Sequence, residues 1–167
     1  MSMKRPVRDI LAGCGIVAPV LIADRITKIW AESALTGAPD IIPGLVGLRL
    51  AHNTGVAFSM FSGAQIVTIA FTALIIIGLI VYLLAEKRPS VLGKIGRAGL
   101  WLFVAGGLGN LYDRIFYGYV VDMIDFRFMD FAVFNVADIA VCAGAFLAAL
   151  GCIITERKLA RNNKKGT

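Results

Sequence analysis

Two aspartates stand where charge is costly. Asp122 ends the run Gly118-Tyr-Val-Val-Asp122, and Asp138 ends Phe134-Asn135-Val-Ala-Asp138, each beside or within an apolar segment. An ionisable group at hydrocarbon depth is expensive to keep and calls for a function. Two carboxylates that share a site cannot both ionise easily, so one is pushed to hold a proton. The ionised member can then act as base on a water while the protonated member donates to a carbonyl. That is peptide hydrolysis without a covalent nucleophile or a metal. The proton belongs to the pair, and the sequence does not assign it to either member. With the last apolar segment read as helix from residue 132, Asp138 falls about two turns in, roughly 6–10 Å below the surface. An ionised carboxylate there must be paired or must take up a proton.

Further polar residues recur at helical spacing. In Gly106-Gly-Leu-Gly-Asn110-Leu-Tyr-Asp113-Arg114, Asn110 precedes Asp113 by three residues and Arg114 by four, and Asn135 precedes Asp138 by three. Such spacings share a helix face. Asp24 and Lys28 are four apart with the acid first, the favoured order for an ion pair. Asn53, in Asn53-Thr54-Gly55, reads first as a turn residue. Rival chemistries lack their residues. There is no GxSxG, HExxH, CxxC or P-loop, and the single histidine, His52, is remote from Cys14, Cys142 and Cys152. The cysteines read as small buried hydrophobes. The sequence offers no ligand set for a metal or cofactor.

Long apolar elements must position these groups. Apolar residues make up 58% of the 167, and mean hydropathy is +0.79, more than a soluble domain of this length can bury. Four segments can cross about 30 Å of hydrocarbon, at about 10–30, 64–85, 98–117 and 132–155. The basic start and Leu11-Ala-Gly-Cys14 imitate a lipoprotein signal, but the apolar run continues past Cys14, so a spanning helix is expected. The third segment is rich in glycine, which suits close helix packing in lipid. The connections 31–63 and 118–132 hold short stretches with strand character, at 48–53, 56–61 and 120–131. The expected fold is a single integral membrane domain over 1–167: all-α, four transmembrane helices, with a small extracytoplasmic β-rich cradle.

Twelve of the seventeen Lys and Arg residues lie in the N-terminal tail, in 86–97 and in the C-terminal tail. The positive-inside rule puts all three in the cytoplasm. Every unusual polar residue then falls near the outer face. The net charge of +6 therefore orients helices, and with no basic face interleaved with aromatics, nucleic acid is not an expected partner.

Taken together, Asp24-Arg-Ile-Thr-Lys28, Asn53-Thr-Gly-Val-Ala-Phe58, Gly106 to Arg114, Gly118 to Asp122 and Phe134 to Asp138 resemble, in order and spacing, the motif blocks of bacterial lipoprotein signal peptidase, signal peptidase II. The resemblance runs from the first apolar segment to the fourth. It implies an aspartyl endopeptidase of the bacterial inner membrane that removes signal peptides from prolipoproteins, cutting on the N-terminal side of a diacylglyceryl-modified cysteine. It implies that Asp122 and Asp138 are catalytic, and that Asp24, Lys28, Asn53, Asn110, Arg114 and Asn135 support them or touch substrate. The spacing from Arg114 selects Asp122 over Asp125. Lipidated prolipoproteins, membrane lipid and a cyclic peptide inhibitor of the globomycin type are the implied partners, and a monomer is expected to suffice. Presenilin-type proteases match less well, because Tyr112-Asp113 has no GxGD to follow it. Two other readings use the same residues: a proton-coupled transporter with Asp138 as proton site, and a non-catalytic bundle whose aspartates pair with Arg114 and Lys28. The connection 31–63 is a candidate lid, resting on the interface through Trp30, Phe58 and Phe61.

Overall fold

The computed structural model describes residues 5–55, 65–85 and 91–163. Four helices, α1 (Arg5–Ala34), α2 (Gln65–Ala85), α3 (Gly93–Phe116) and α4 (Val136–Asn163), alternate with three strands, β1 (Asp40–Ile42), β2 (Val46–Asn53) and β3 (Val120–Phe126). Residues 56–61, expected to include a strand, lie outside the described residues, as do Phe58 and Phe61.

α3 is the axis of the bundle, with α1, α2 and α4 packed around it. Close approaches fix the directions. A Cβ on Gly13 would strike Trp101 and one on Gly109 would strike Asp24, so α1 runs parallel to α3. A Cβ on Gly93 would meet Thr155, and one on Gly99 would sit 2.6 Å from Gly144 O, so α4 is antiparallel to α3. Gln65 reaches Arg114 O at one end of α2 and Arg97 reaches Leu83 O at the other, so α2 is antiparallel too. The starts of α1 and α3 and the end of α4 therefore share one end of the molecule, and the sheet caps the other.

Three helices, α1, α2 and α4, are long and apolar enough to cross a membrane. α3 is not among them. It carries Lys94, Arg97, Asp113, Arg114 and six glycines in 24 residues. Its neighbours surround it, so it meets less lipid and can afford polarity. The bundle is accordingly polar inside: Asp24, Lys28, Asn110, Asp113, Asp122 and Asn135 are buried, while Ile22, Ile66 and Phe71 are exposed. Two sequence expectations need correction. Cys14 and Cys142 are exposed and Cys152 half-buried, on outer faces where lipid rather than a core matches their apolarity. And α4 starts at Val136, not near 132, so Asp138 stands in its first turn, not two turns down.

The sheet is antiparallel in the order β1-β2-β3, so both connections contribute to it. Ala51 pairs with Asp122, His52 with Val121 and Asn53 with Val120, and the register shifts between Leu48 and Ala51. Side chains alternate along a strand. Val121 and Met123 pack on Ala31 from α1, with Leu35, Leu48 and Leu50 around them. Val120, Asp122 and Phe126 face a cavity. Gly118, at φ 82°, makes the turn from α3 into β3, a conformation that favours glycine.

Candidate active site

The start of α4 builds half of the site. Asn135 precedes the helix, and its carbonyl accepts Ile139 N at 3.3 Å. Its side-chain Oδ1 accepts Asp138 N at 2.9 Å, while Asp138 Oδ2 accepts Asn135 N at 3.1 Å. This reciprocal capping satisfies two backbone donors that a helix start leaves free. It also locks the Asp138 carboxylate where the helix dipole favours negative charge. Asn135 Nδ2 donates in the other direction, to Asp122 Oδ1 at 2.7 Å. One residue thus joins both carboxylates, Asp122 through its side-chain amide and Asp138 through its backbone N–H.

Strand geometry supplies the other half. Asp122 and Asp125 are an odd number of residues apart on β3 and project to opposite faces. Asp122 is 2% exposed and lines the cavity. Asp125 instead pairs with Arg49 at 3.1 Å and Arg127 at 2.8 Å. The second oxygen of Asp122 accepts Asn53 Nδ2 at 3.1 Å. Asn53 Oδ1 meanwhile accepts Gly55 N at 3.0 Å, so this residue is both the expected turn former and a carboxylate ligand.

Asn110 completes the ring from α3. Its Nδ2 donates to Asp138 Oδ1 at 2.7 Å, and its Oδ1 accepts Lys28 Nζ at 3.0 Å. A cationic donor on the oxygen fixes which way this amide points. Lys28 is fully buried and pairs with Asp24 and Asp113, both at 2.9 Å. Arg25 pairs with Asp113 at 2.9 Å, so two acids meet two bases. Asp24 Oδ1 also accepts Ala137 N at 3.1 Å, tying α1 to the first turn of α4. A Cβ at Gly109 would lie 2.7 Å from Asp24 Oδ2, so only glycine leaves room for this carboxylate. Arg114 lines the cavity, donating to Gly55 O at 2.9 Å and to Asn110 O at 3.4 Å.

All eight residues singled out from sequence therefore meet in one hydrogen-bonded network. Asp113 and Arg25 belong to it as well and were not singled out as site residues. Both stood inside quoted motif blocks, and a buried Lys28 needing more than one counter-charge was the available signal. Among the described residues, no group of three or more His, Cys, Asp or Glu comes together as a metal site.

The cavity holds about 950 Å³. Asn53, Asn110, Arg114, Asp122 and Asp138 crowd its polar end; Phe71, Ile75, Phe103 and Val141 line the rest. It lies between α2 and α4, and Phe71 is 64% exposed, so the apolar part opens sideways. Burial first, and then the charge of Asp138, pushes the Asp122 carboxyl up to about 6, against the bonds from Asn53 and Asn135 and the charge of Lys28. The arrangement can hold one proton on two carboxylates beside a lipid-accessible space.

Comparison with known proteins gives concordant findings. The family model for Signal peptidase (SPase) II matches residues 16–154. A lipoprotein signal peptidase of Clostridium acetobutylicum is 39% identical over 148 residues, covering 86% of this chain and 94% of that protein. One of Latilactobacillus sakei is 37% identical, covering 83% and 91%. A solved bacterial membrane enzyme, 27% identical, superposes with a TM-score of 0.76 over 87% of each chain.

Proposed function

The chain belongs to the signal peptidase II family and is an aspartic-type membrane peptidase acting on prolipoproteins, and from that premise we propose that Asp122 and Asp138 are its catalytic pair. The observation that supports this most is Asn135, which donates its side-chain N–H to Asp122 and its backbone N–H to Asp138 at the polar end of a largely apolar cavity.

The chemistry follows from one shared proton. A water between the carboxylates gives a proton to the ionised member as its oxygen bonds to the scissile carbonyl carbon. The protonated member gives its proton to the carbonyl oxygen. The resulting diol collapses: one hydroxyl gives its proton to the ionised carboxylate as the C=O re-forms, the C–N bond breaks, and the leaving nitrogen takes the proton held by the other carboxyl, so the pair is left with one proton. Asn53, Asn110 and Asn135 orient the carboxylates. Lys28 and Asp24 hold Asn110 and the start of α4, and Arg114 anchors the chain at Gly55. The apolar part of the cavity suits the acyl chains of a diacylglyceryl-modified cysteine, which places the bond before that cysteine at the pair. A cyclic peptide of the globomycin type would compete for this space.

Four spans, both termini and 86–97 in the cytoplasm, and a site near the outer face of the bacterial inner membrane complete the proposal, with one chain sufficing for activity. The proton-transporter alternative loses its motivation, because Asp138 serves the start of α4 together with Asn135.

The test is cleavage of a lipidated precursor by purified protein in detergent with chelator present. Asp122→Asn and Asp138→Asn are each expected to lower turnover by more than about 10³-fold while the fold is retained. Asp125→Asn is expected to be much milder than Asp122→Asn, since Asp125 projects to the opposite face of β3 from the cavity and pairs with Arg49 and Arg127. Near-normal turnover in either dyad variant sinks the assignment.

A further inference from the structure

Asp113 is fully buried on α3, and its carboxylate collects three donors. Oδ1 accepts Arg25 Nη1 at 2.9 Å. Oδ2 takes Lys28 Nζ at 2.9 Å and the backbone N–H of Val121 at 3.3 Å. Val121 is the residue before Asp122. Its carbonyl is also held, by Asn135 Nδ2 at 3.3 Å. The backbone leading into Asp122 is thus gripped on one side by α3 and on the other by the start of α4.

The sheet alone would hold this stretch less firmly. The β2–β3 register breaks between Leu48 and Ala51, next to the pair Ala51 and Asp122. The two cations from α1 hold the carboxylate in place, with Arg25 on one oxygen and Lys28 on the other. Lys28 also bonds Asn110, which orients Asp138. A single buried unit therefore faces both carboxylates: through Asp113 to the strand of Asp122, and through Asn110 to Asp138.

We propose that Asp113 is a positioning residue for peptide hydrolysis, gripping the Val121 N–H so that the Asp122 carboxylate is held in register with Asp138. The inference rests on the catalytic reading of that pair. Asp122 is faced by Asp138 from α4, Lys28 from α1, Arg114 from α3, Asn53 from β2 and Asn135 from the start of α4. The bonds from Asn53 and Asn135 favour its ionised form.

The decisive variant replaces Val121 by its α-hydroxy acid, turning one amide into an ester. It removes one N–H and leaves every side chain and charge in place. Misplacement of a reacting group by about 1 Å costs up to about 10²-fold, so kcat is expected to fall roughly 10- to 100-fold with KM within about twofold. The alkaline limb of kcat/KM, where the pair loses its shared proton, is expected to move to higher pH as the bonds to Asp122 loosen. Asp113→Asn retains an acceptor for Val121 and is expected to keep more activity than Asp113→Ala. Should the Asp113 variants fail to fold, the ester still decides. Wild-type kcat and pH profile in the ester, or equal kcat losses in folded Asn and Ala variants, overturn the proposal. Asp122→Asn and Asp138→Asn run alongside. An active dyad variant brings down the catalytic reading, whereas dead dyad variants beside an unaffected ester bring down this inference alone.

Discussion

Asp122 shows what a buried carboxylate does to its own fold. Burial and the neighbouring Asp138 move its carboxyl from 3.8 up to about 6. A raised folded value means that the protonated form suits the fold. The stability this group contributes is complete below 3.8 and is lost as the pH rises through about 6. Asparagine at this position cannot titrate. The stability of Asp122→Asn relative to the parent is therefore expected to improve by about 2 kcal/mol between pH 4 and pH 8. Any pH-independent cost of the substitution, such as the amide facing Asn53 and Asn135, cancels in that comparison. Unfolding in detergent at a series of pH values measures it, and a constant gap would show that Asp122 titrates as an ordinary carboxylate. Site residues of this kind were legible in sequence because polar groups in apolar surroundings stand out. The bond from Val121 N–H to Asp113 was not legible, because it joins a side chain to a backbone in another element and leaves no pattern in residue types.

At the scale of elements, the pair depends on how closely α3 and α4 approach. α3 carries Asn110 and α4 carries Asp138, and their bond is 2.7 Å long. A Cβ at Gly99 would lie 2.6 Å from both Gly144 O and Ala148 N, and backbone atoms do not step aside as a flexible side chain can. Gly99→Val is expected to force the helices apart, costing about 1–3 kcal/mol of stability and most of the activity. Gly78 on α2 has nothing within 4 Å of such a Cβ. Gly78→Ala is expected to be neutral or stabilising by up to about 1 kcal/mol. Thermal unfolding and precursor cleavage on the two variants check the contrast, and similar behaviour would mean that the α3–α4 contact does not set the site. The sequence indicated this packing through its glycines. It misplaced the start of α4 because apolar residues extend upstream of the helix, from Phe131. The Asn135-x-x-Asp138 spacing held the boundary, since a capping amide followed three residues later by an acid marks a helix start.

At the scale of the molecule, the division of polar and apolar surface ties mechanism to topology. Asp24, Lys28, Asn110, Asp113, Asp122 and Asn135 are buried near the sheet, while large apolar side chains cover the outside of the helices. The opposite end carries Lys94 and Lys158, both exposed, beside the buried Arg97–Asp9 pair. Helix directions read from close contacts alternate as successive spans must, while which end faces outward rests on charge at the bilayer surface alone. A precursor whose lipid lies in the outer leaflet can reach the Asp122–Asp138 pair only if the sheet end faces outward. In a background with Cys14, Cys142 and Cys152 replaced by alanine, Asp130→Cys, in the exposed turn after β3, is expected to react with an impermeant maleimide in intact spheroplasts. Lys94→Cys and Lys158→Cys are expected to react only once the membrane is opened. The reverse pattern would place the carboxylate pair on the cytoplasmic side, away from any exported precursor, and would separate the cavity from the substrate it is proposed to hold.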